Sequence, residues 1–442
     1  MSKTLANLRD RMSELLSDYH HSTVTTAIAA STSVVDTGLA NVRGGAQTDY
    51  FKNWWVLFTS GANIGVARLI TAYVTGTTTL TVLGGNLTTD GAVKATYELH
   101  RFDPVLKRRA INQAVRHLYP DRFKAIKDRT LVTGNWLPNA HFEDWAASTY
   151  PDEYSLTNVA AVATTTAGLY RGGAKSAKVT ASAANGYLYI SSDNYPRLLD
   201  LAGATVDFEA WAYPEVTSDS YLVIYTYKPD TTAQTLTSSS TNHAGEWNKI
   251  ELNSQSINSG ISLIEFRFKV ATNAKYIYWD DARVIAGVYP HELWLPTAFK
   301  TEGVIKQINI QSSQFTSDTD PCDDIGDNVK YEPVWEHDII NDGTYKYLRM
   351  PRQHVKRRVE LQGYGRLEEM TADTDTTSID EPYVDAIACQ AMVNLYQSLK
   401  EPAAMQGHTA YDEAISYYMM LVRQELARHP QSKPASRLNW RR

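Results

Sequence analysis

The sequence predicts a multidomain α+β protein, in which a host domain of helices and a small antiparallel β-domain is interrupted by an antiparallel β-sandwich. Three observations support this fold class. The chain has 442 residues, which is more than one ordinary domain holds. Amphipathic helical periodicity occurs near both ends, and strand-like alternation fills the middle. A hydrophobic content of 43% with 21% charged residues is typical of globular proteins, so we expect folded domains along most of the chain.

The first 134 residues predict a helix, a small β-domain and a second helix. Thr/Val alternation broken by Gly and Asn, from Ser22 to about Leu99, predicts the β-domain. Asp103 and Pro104 predict the start of the second helix and Pro120 its end, with Lys107, Arg108 and Arg116 away from the apolar face. The apolar residues with helical spacing are Leu5, Leu8, Met12, Leu15 and Leu16 in the first helix, and Ile111, Ala114, Val115 and Leu118 in the second.

The C-terminal part repeats this combination of strands and helices. Residues 290–370 show strand alternation, and two apolar stripes predict an antiparallel helix pair over 382–428. The predicted helices are short, and each has a single apolar face. Because they also lie on both sides of the β-rich middle of the sequence, we expect them to pack together. The predicted parts are therefore 1–134 and 288–429 as the host, 135–287 as an inserted sandwich, and 430–442 as an extended basic tail.

Charge and cysteine content exclude several classes of protein. The net charge of −6 is mild, but residues 101–129 are rich in Lys and Arg, which fits either nucleic-acid contact or a solvated face. Cys322 and Cys389 lie too far apart in sequence to support a disulfide framework or a zinc knuckle. No apolar run approaches the roughly 20 residues that cross a bilayer, and no signal-peptide core is visible. We expect a protein made in the cytoplasm, with no membrane partner.

Motifs of catalysis are missing from the sequence. It contains no G-x-S-x-G elbow, P-loop, H-E-x-x-H or C-x-x-C, and its eleven His residues show no metal-ligand spacing. We therefore expect a protein that is not an enzyme and requires no cofactor.

The middle segment resembles the jelly-roll carbohydrate-binding modules found beside glycoside hydrolases. The resemblance lies in N-A-H-F-E from Asn139, G-A-K-S-A-K-V from Gly173, V-D-F-E-A-W-A-Y from Val206, G-E-W-N-K-I-E-L from Gly245 and Y-I-Y-W-D-D-A-R-V from Tyr276. Val206, Phe208 and Ala210 are expected to face the core. The resemblance implies a structural calcium near Glu143, Asp280 and Asp281, since oxygen ligands suit calcium; the alternative is that these acids only cap turns.

Tyrosines in this segment alternate in a way that fits glycan contact. Sugar binding needs aromatic faces and a few orienting polar groups. The same spacing also fits a sandwich core or a subunit interface. The candidate residues are Tyr187, Tyr189, Tyr221 and Tyr225.

The two ends resemble head-to-tail connector, or adaptor, proteins of tailed bacteriophages. The resemblance is carried by D-Y-F-K-N-W-W-V-L-F-T-S-G-A-N-I-G from Asp49, Y-E-L-H-R-F-D-P from Tyr97 and the C-terminal helices. It implies a homo-oligomeric ring, usually of twelve copies, at the head-tail junction of the virion, with DNA passing through its lumen. The implied partners are the portal protein and a tail-side connector or tail-completion protein.

The basic tail fits a portal-binding anchor, because an indole can fill a pocket while guanidiniums pair with acids on its rim. The alternative is a merely solubilising end. The residues concerned are Arg437, Leu438, Trp440, Arg441 and Arg442.

These patterns predict a structural virion protein, an adaptor between portal and tail with an outward-projecting sandwich that contacts glycans. Two other hypotheses stay open. The chain could instead be a carbohydrate-binding adhesin or fibre-associated virion protein, or another connector or tail-completion layer.

Overall fold

The computed structural model describes residues 3–18, 20–29, 31–90, 94–145, 148–288, 290, 292–300, 303–312, 330–341, 346–350, 356–400 and 408–431. The chain forms two compact units. The first unit combines the described residues up to 124 with those of 366–431, and the second unit contains the described residues of 125–365. The architecture is mostly antiparallel β-sheet with few helices.

The first unit contains these elements before its chain break: β1 (Lys3–Thr4), α1 (Leu5–Leu16), β2 (His21–Thr23), β3 (Ser33–Val35), β4 (Trp55–Phe58), β5 (Ala67–Val74), β6 (Thr79–Val82), β7 (Thr96–His100) and α2 (Pro104–His117). The second unit begins with β8 (Lys124–Val132), β9 (Ser155–Thr157), β10 (Val159–Thr164), β11 (Ser176–Ala181), β12 (Gly186–Ser191), β13 (Thr205–Pro214), β14 (Ser220–Tyr227), β15 (Ala233–Thr237), β16 (Asn248–Ser256), β17 (Leu263–Val270) and β18 (Tyr276–Ala286). It continues with β19 (Glu292–Trp294), α3 (Thr297–Lys300), β20 (Val304–Gln311), β21 (Tyr331–Pro333), β22 (Asp338–Asn341), β23 (Lys346–Arg349) and β24 (Arg358–Gly365). The first unit then resumes with β25 (Thr376–Thr377), α4 (Val384–Lys400) and α5 (His408–Arg428).

The helices of the first unit share one apolar core. Helix α1 begins at a capping box, in which the Thr4 hydroxyl accepts from the Asn7 amide at 3.1 Å. Helix α2 begins at Asp103 with Pro104 in its first turn, as the sequence predicts. Helix α4 is apolar on nearly all sides and lies at the centre of this core. The core residues include Leu5, Leu8, Met12, Ile111, Val115, Ile387, Met392 and Val422.

One prediction for α2 is wrong. Lys107 was expected on the solvated face, but its side chain is fully buried. The reason is a set of polar partners that the apolar periodicity does not reveal. Its ammonium donates to Asp18 at 3.0 Å and to Ser13 at 2.9 Å.

The small β-domain is a six-stranded antiparallel sheet in the order β2-β7-β4-β5-β6-β3. Alternate residues of its strands enter a separate core, which includes Val56, Phe58, Ile70 and Tyr97. No helix in the described ranges is long and apolar enough to cross a membrane.

The sandwich of the second unit consists of two five-stranded antiparallel sheets. Their orders are β10-β11-β18-β13-β16 and β15-β14-β17-β12-β9. The period-two pattern decides which residues face inward. Val206, Phe208 and Ala210 of β13 are buried in the core between the sheets, which confirms the expectation from the sequence.

Residues 290–365 group with the sandwich, not with the helices. They form a three-stranded sheet, β19-β23-β22, and a four-stranded sheet, β21-β20-β24-β8. Strand β8 is the entry strand of the second unit and β24 is its exit strand, and the two are neighbours in one sheet. The unit boundaries therefore fall at 124 and 366, whereas the sequence suggested 134 and 288; the hydrogen-bonded sheet keeps both flanking segments together.

Candidate functional site

The four predicted glycan-contacting tyrosines lie on one outer sheet face. On β12, Leu188 and Ile190 face the core, so Tyr187 and Tyr189 face outward. On β14, Leu222 and Ile224 face the core, so Tyr221 and Tyr225 share that outward face. All four rings are half-buried. We call this surface, together with Glu265, Arg267 and Lys269 of β17, the tyrosine face.

Strand β17 runs between β12 and β14 and contributes the charges. Its inward residues Phe266 and Phe268 are buried in the core. The strand register then gives three rows across the sheet. These rows are Tyr187, Lys269 and Tyr221; then Tyr189, Arg267 and Val223; then Ser191, Glu265 and Tyr225.

Arg267 is held in place at the centre of the tyrosine face. Its guanidinium carbon lies 4.5 Å from the ring centre of Tyr187 and 4.2 Å from that of Tyr225. Its Nε and Nη2 donate to Glu265 at 2.7 and 2.6 Å. Contacts from both sides restrict the rotamers of this arginine, so it is ordered before any ligand binds.

Lys269 has a different environment. Its Nζ lies 5.4 Å from the ring centre of Tyr221. Tyr187 and Tyr189 meet edge to face with ring centres 5.4 Å apart, which fixes the other side of the face.

An open depression of about 610 Å³ adjoins Tyr189. Asn194 donates to the Ser155 hydroxyl at 3.0 Å inside it, which places amide and hydroxyl groups beside the aromatic ring. Aromatic faces with a few fixed polar groups are what binding of a small sugar requires. The lining residues are Tyr150, Glu153, Tyr154, Ser155, Leu156, Tyr189 and Asn194.

Sequence reasoning found the tyrosines but missed the charged strand between them. The signal was available in L-I-E-F-R-F-K-V, where apolar and charged residues alternate over Leu263–Val270. What the local pattern lacks is the register that places Arg267 between two rings.

The opposite sheet of the sandwich carries a second aromatic group that the sequence analysis also missed. Tyr213 meets Trp247 and Tyr278 edge to face, at 5.7 and 5.9 Å. Lys178 lies 4.2 Å from the ring centre of Tyr276. Arg171 lies 3.6 Å from that of Trp211.

Two of the predicted calcium ligands are bound by one loop. The amides of Arg171 and Gly172 donate to Asp280 at 2.6 and 3.0 Å. Two further amides of the same loop, those of residues 174 and 175, donate to Glu143 at 2.7 and 2.9 Å. Desolvation raises the pKa of the Glu143 carboxyl to about 7, and it raises the pKa of Asp280 well above its ordinary value.

The third predicted ligand, Asp281, already has cationic partners. Its buried carboxylate pairs with Arg283, and Arg358 lies 3.6 Å away. Burial alone would raise its pKa, but Arg283, His141 and Arg358 outweigh this and hold the pKa below its ordinary value. A metal would have to displace these cations, so the surroundings of Asp281 do not fit a calcium ligand.

Among the described residues, one set of three metal-type donors converges within 4.8 Å, and it consists of Asp10, His21 and Glu98, not of the predicted calcium ligands. The Nε and Nη2 of Arg9 donate to the two oxygens of Glu98 at 2.8 and 2.9 Å. Because Arg9 already pairs with the Glu98 carboxylate, we interpret these three residues as part of an ion-pair network and not as a metal site.

The predicted portal-binding residues Arg437, Leu438, Trp440, Arg441 and Arg442 lie outside the described residues, so the portal-binding hypothesis stays a prediction.

Comparison with known proteins gives similarity to solved structures alone, since no family description and no curated protein matches the chain. The xylan-binding domain from CBM 22 is 15% identical, with 36% of this chain and 98% of that chain covered and a TM-score of 0.29. TmCBM61, in complex with β-1,4-galactotriose, is 14% identical, with 34% and 98% covered and a TM-score of 0.25. The enzymatically active domain of bacteriophage CBA120 tailspike protein 4 is 12% identical, with 35% and 21% covered and a TM-score of 0.27. This chain thus spans about a fifth of the tailspike domain, and at these scores the likenesses carry no argument about function.

Proposed function

We propose that this protein binds carbohydrate, and that the tyrosine face of the sandwich is the binding surface. The observation that carries the proposal is the convergence of four half-buried tyrosines with Arg267 and Glu265 on one outer sheet face. Scattered surface tyrosines would need no explanation, but aromatic and charged groups arranged in register are typical of a binding site.

The chemistry of the face suits a sugar. A pyranose ring presents C–H groups on its faces and hydroxyls at its rim, so it needs an aromatic surface and hydrogen-bonding groups beside it. The tyrosine rings supply the first, and Glu265, Asn194 and Ser155 supply the second. The volume of the adjoining depression, about 610 Å³, lies within the roughly 300–1,000 Å³ typical of small-molecule sites.

The experiment is a glycan array with the intact protein, followed by calorimetry on the glycans that bind. We expect Tyr187→Ala and Tyr221→Ala each to weaken binding about tenfold, equivalent to ~1.4 kcal/mol. Tyr276→Ala on the opposite sheet is the matched control and should bind as the wild type does. The proposal fails if no glycan binds, or if the Tyr276 variant loses binding as much as the other two.

A second candidate function is a structural virion protein of the connector type, and the surface of α5 favours it. Tyr417, Met419 and Met420 are exposed by 54%, 43% and 55% of their surface. Large apolar side chains on an exposed helix suit packing against another copy of the chain. A ring at the head-tail junction, with the portal protein, a tail-side connector and DNA in its lumen as partners, would use such a surface.

Light scattering and electron microscopy of the purified protein test this second candidate. We expect a ring that Met420→Asp disrupts and that Val162→Asp, at an equally exposed site on the sandwich, leaves intact. A wild-type protein that stays monomeric at all concentrations and does not bind portal assemblies would rule the connector out.

We also propose that Glu143 and Asp280 hold a structural calcium. Within the described part of the chain, neither carboxylate forms an ion pair with a lysine or arginine, and burial raises the pKa of both. A calcium ion would supply the positive charge that these buried carboxylates lack.

A further inference from the structure

We infer that the ligand of the tyrosine face is an acidic oligosaccharide, with a carboxylate that binds at the Lys269 end of the face. This inference rests on the proposed carbohydrate-binding function and names the class of sugar. It follows from the unused donors on β17, from their spacing and from the direction in which charge changes along the strand.

Lys269 provides the first unused donor. In the described part of the structure, no carboxylate lies within ion-pair distance of its Nζ, whereas Lys249 and Lys275 on other strands of the sandwich both pair with glutamates. The contact that Lys269 makes is with the ring of Tyr221. An ammonium beside an aromatic ring and without a counter-ion is suited to an anionic ligand.

Arg267 provides the second. Glu265 takes hydrogen bonds from its Nε and Nη2, while Nη1 has no acceptor among the described protein groups. Tyr187 and Tyr225 already fix the guanidinium, so a ligand oxygen would meet an oriented donor and would not have to order it.

The two donors have a spacing that suits one sugar unit. They are two residues apart on the same face of β17, which places their backbone positions about 7 Å apart. Lys269 shares its row with Tyr187 and Tyr221. A sugar stacked on the ring of Tyr221 would therefore present a carboxylate at its rim to the ammonium.

Charge changes sign along the face. Lys269 lies at one end, whereas Glu265 lies at the other, and Glu153 borders the depression beside Tyr189. Asp219, two residues before Tyr221, is buried and accepts from the Thr272 amide at 2.6 Å, and in the described part of the structure it forms no ion pair with Lys269. We therefore expect a carboxylate of the ligand to bind at Lys269, and neutral hydroxyls of the ligand to bind near Glu265 and Glu153.

The net charge of β17 limits the class of acidic sugar that the tyrosine face can bind. Arg267 and Lys269 give two positive charges and Glu265 one negative charge, so the strand carries a net charge of +1. One carboxylate per sugar ring matches this value. A densely sulfated chain would bring more negative charge than the face can pair, and the glutamates would repel it.

The test compares matched sugars on the intact protein. Oligomers of galacturonate, glucuronate and mannuronate are arrayed beside their carboxyl-reduced neutral forms, together with heparin oligosaccharides, and binding pairs are then titrated by calorimetry at low and high salt. We expect preference for a uronate over its reduced form. Lys269→Gln should remove this preference, with a loss of about threefold for the acid form, as for one exposed ion pair.

Lys178→Gln is the matched control, because Lys178 also lies over tyrosine rings but on the opposite sheet. Lys269→Arg should retain the preference for the acid. Equal, tyrosine-dependent binding of acid and neutral forms, or a preference for heparin, would overturn the acidic-sugar inference while leaving the carbohydrate function in place. No binding to any sugar would remove the proposed function itself.

Discussion

The Nζ of Lys107 and the Nδ1 of His100 lie 3.0 Å apart inside the first unit. An ammonium can only donate, so the His100 Nδ1 is the acceptor and the ring proton is on Nε2. That Nε2 in turn donates to Glu98 at 2.9 Å, and Glu98 also accepts from Arg9. A continuous polar chain therefore runs through the interior and connects α1, β7 and α2.

The first prediction is that Lys107→Met destabilises the first unit by ~3–5 kcal/mol, because it leaves the buried carboxylate of Asp18 without its cation. Urea denaturation followed by circular dichroism measures this change. Arg116→Ala removes an exposed pair with Glu369 and should leave the midpoint unchanged. A Lys107 variant as stable as the wild type would show that the buried pair is dispensable.

The second prediction concerns acid stability. Desolvation acts to raise the pKa of Glu98, but hydrogen bonds from His100 and Arg9 outweigh it and hold the pKa at about 2, below the ordinary 4.5. The stability that Glu98 contributes is therefore present above pH 4.5 and is lost as the pH falls from 4.5 toward 2. Glu98→Gln should be less stable at pH 7 and should lose less stability between pH 4.5 and 2. Equal slopes for wild type and variant in urea titrations over this range would contradict the assignment.

The third prediction is that Glu143 gives a pH dependence of stability opposite to that of Glu98. Burial raises the pKa of Glu143 to about 7, so the folded state favours the protonated carboxyl. The associated stability is present below pH 4.5 and is lost as the pH rises through 7. By scanning calorimetry, the second unit should melt at a higher temperature at pH 5 than at pH 7.5, and Glu143→Gln should reduce that difference.

The fourth prediction is that calcium stabilises the second unit by binding Glu143 and Asp280. At pH 7.5 it should raise the melting temperature of the wild type and have little effect on Glu143→Gln, since a ligand that binds only the folded state stabilises it. Magnesium at the same concentration is the control. A calcium effect that is equal in both proteins would place the ion elsewhere.

The fifth prediction tests the centre of the sandwich. Phe268 meets Phe142, Phe208 and Trp279 edge to face, with ring centres 5.4 to 5.5 Å apart. Phe268→Ala should cost ~3–5 kcal/mol, because it removes the ring and leaves a cavity that rigid neighbours cannot fill. Val162→Ala at an exposed strand position should change the stability by less than ~0.5 kcal/mol. Chemical denaturation of both variants gives the comparison.

Much of the fold follows from local sequence patterns. The alternation in V-D-F-E-A predicts the inward face of β13, and Asp103 with Pro104 predicts where α2 begins. Strand β8 could not be predicted in this way, because charged and apolar residues mix in K-A-I-K-D-R-T-L-V and its neighbour β24 lies more than two hundred residues further along the chain. Pairings at such distances depend on tertiary structure, which a local window does not contain.

The candidate site could likewise be predicted only in part from local sequence patterns. Tyrosine spacing identifies four members of the face, since side chains two apart share a side of a strand. The position of Arg267 between two rings requires the register of three strands. Lys107 was misjudged for a related reason, because its partner Asp18 is remote in sequence.

Because β8 and β24 are neighbouring strands at the start and end of residues 125–365, this segment can be replaced as a whole. A replacement segment needs only to begin and end on an equivalent pair of neighbouring strands, and the rest of the chain can keep its own fold. A single recombination event could then give the same helical unit a different second unit. Variation in this lineage should therefore concentrate between these two strands, with whole segments replaced at once.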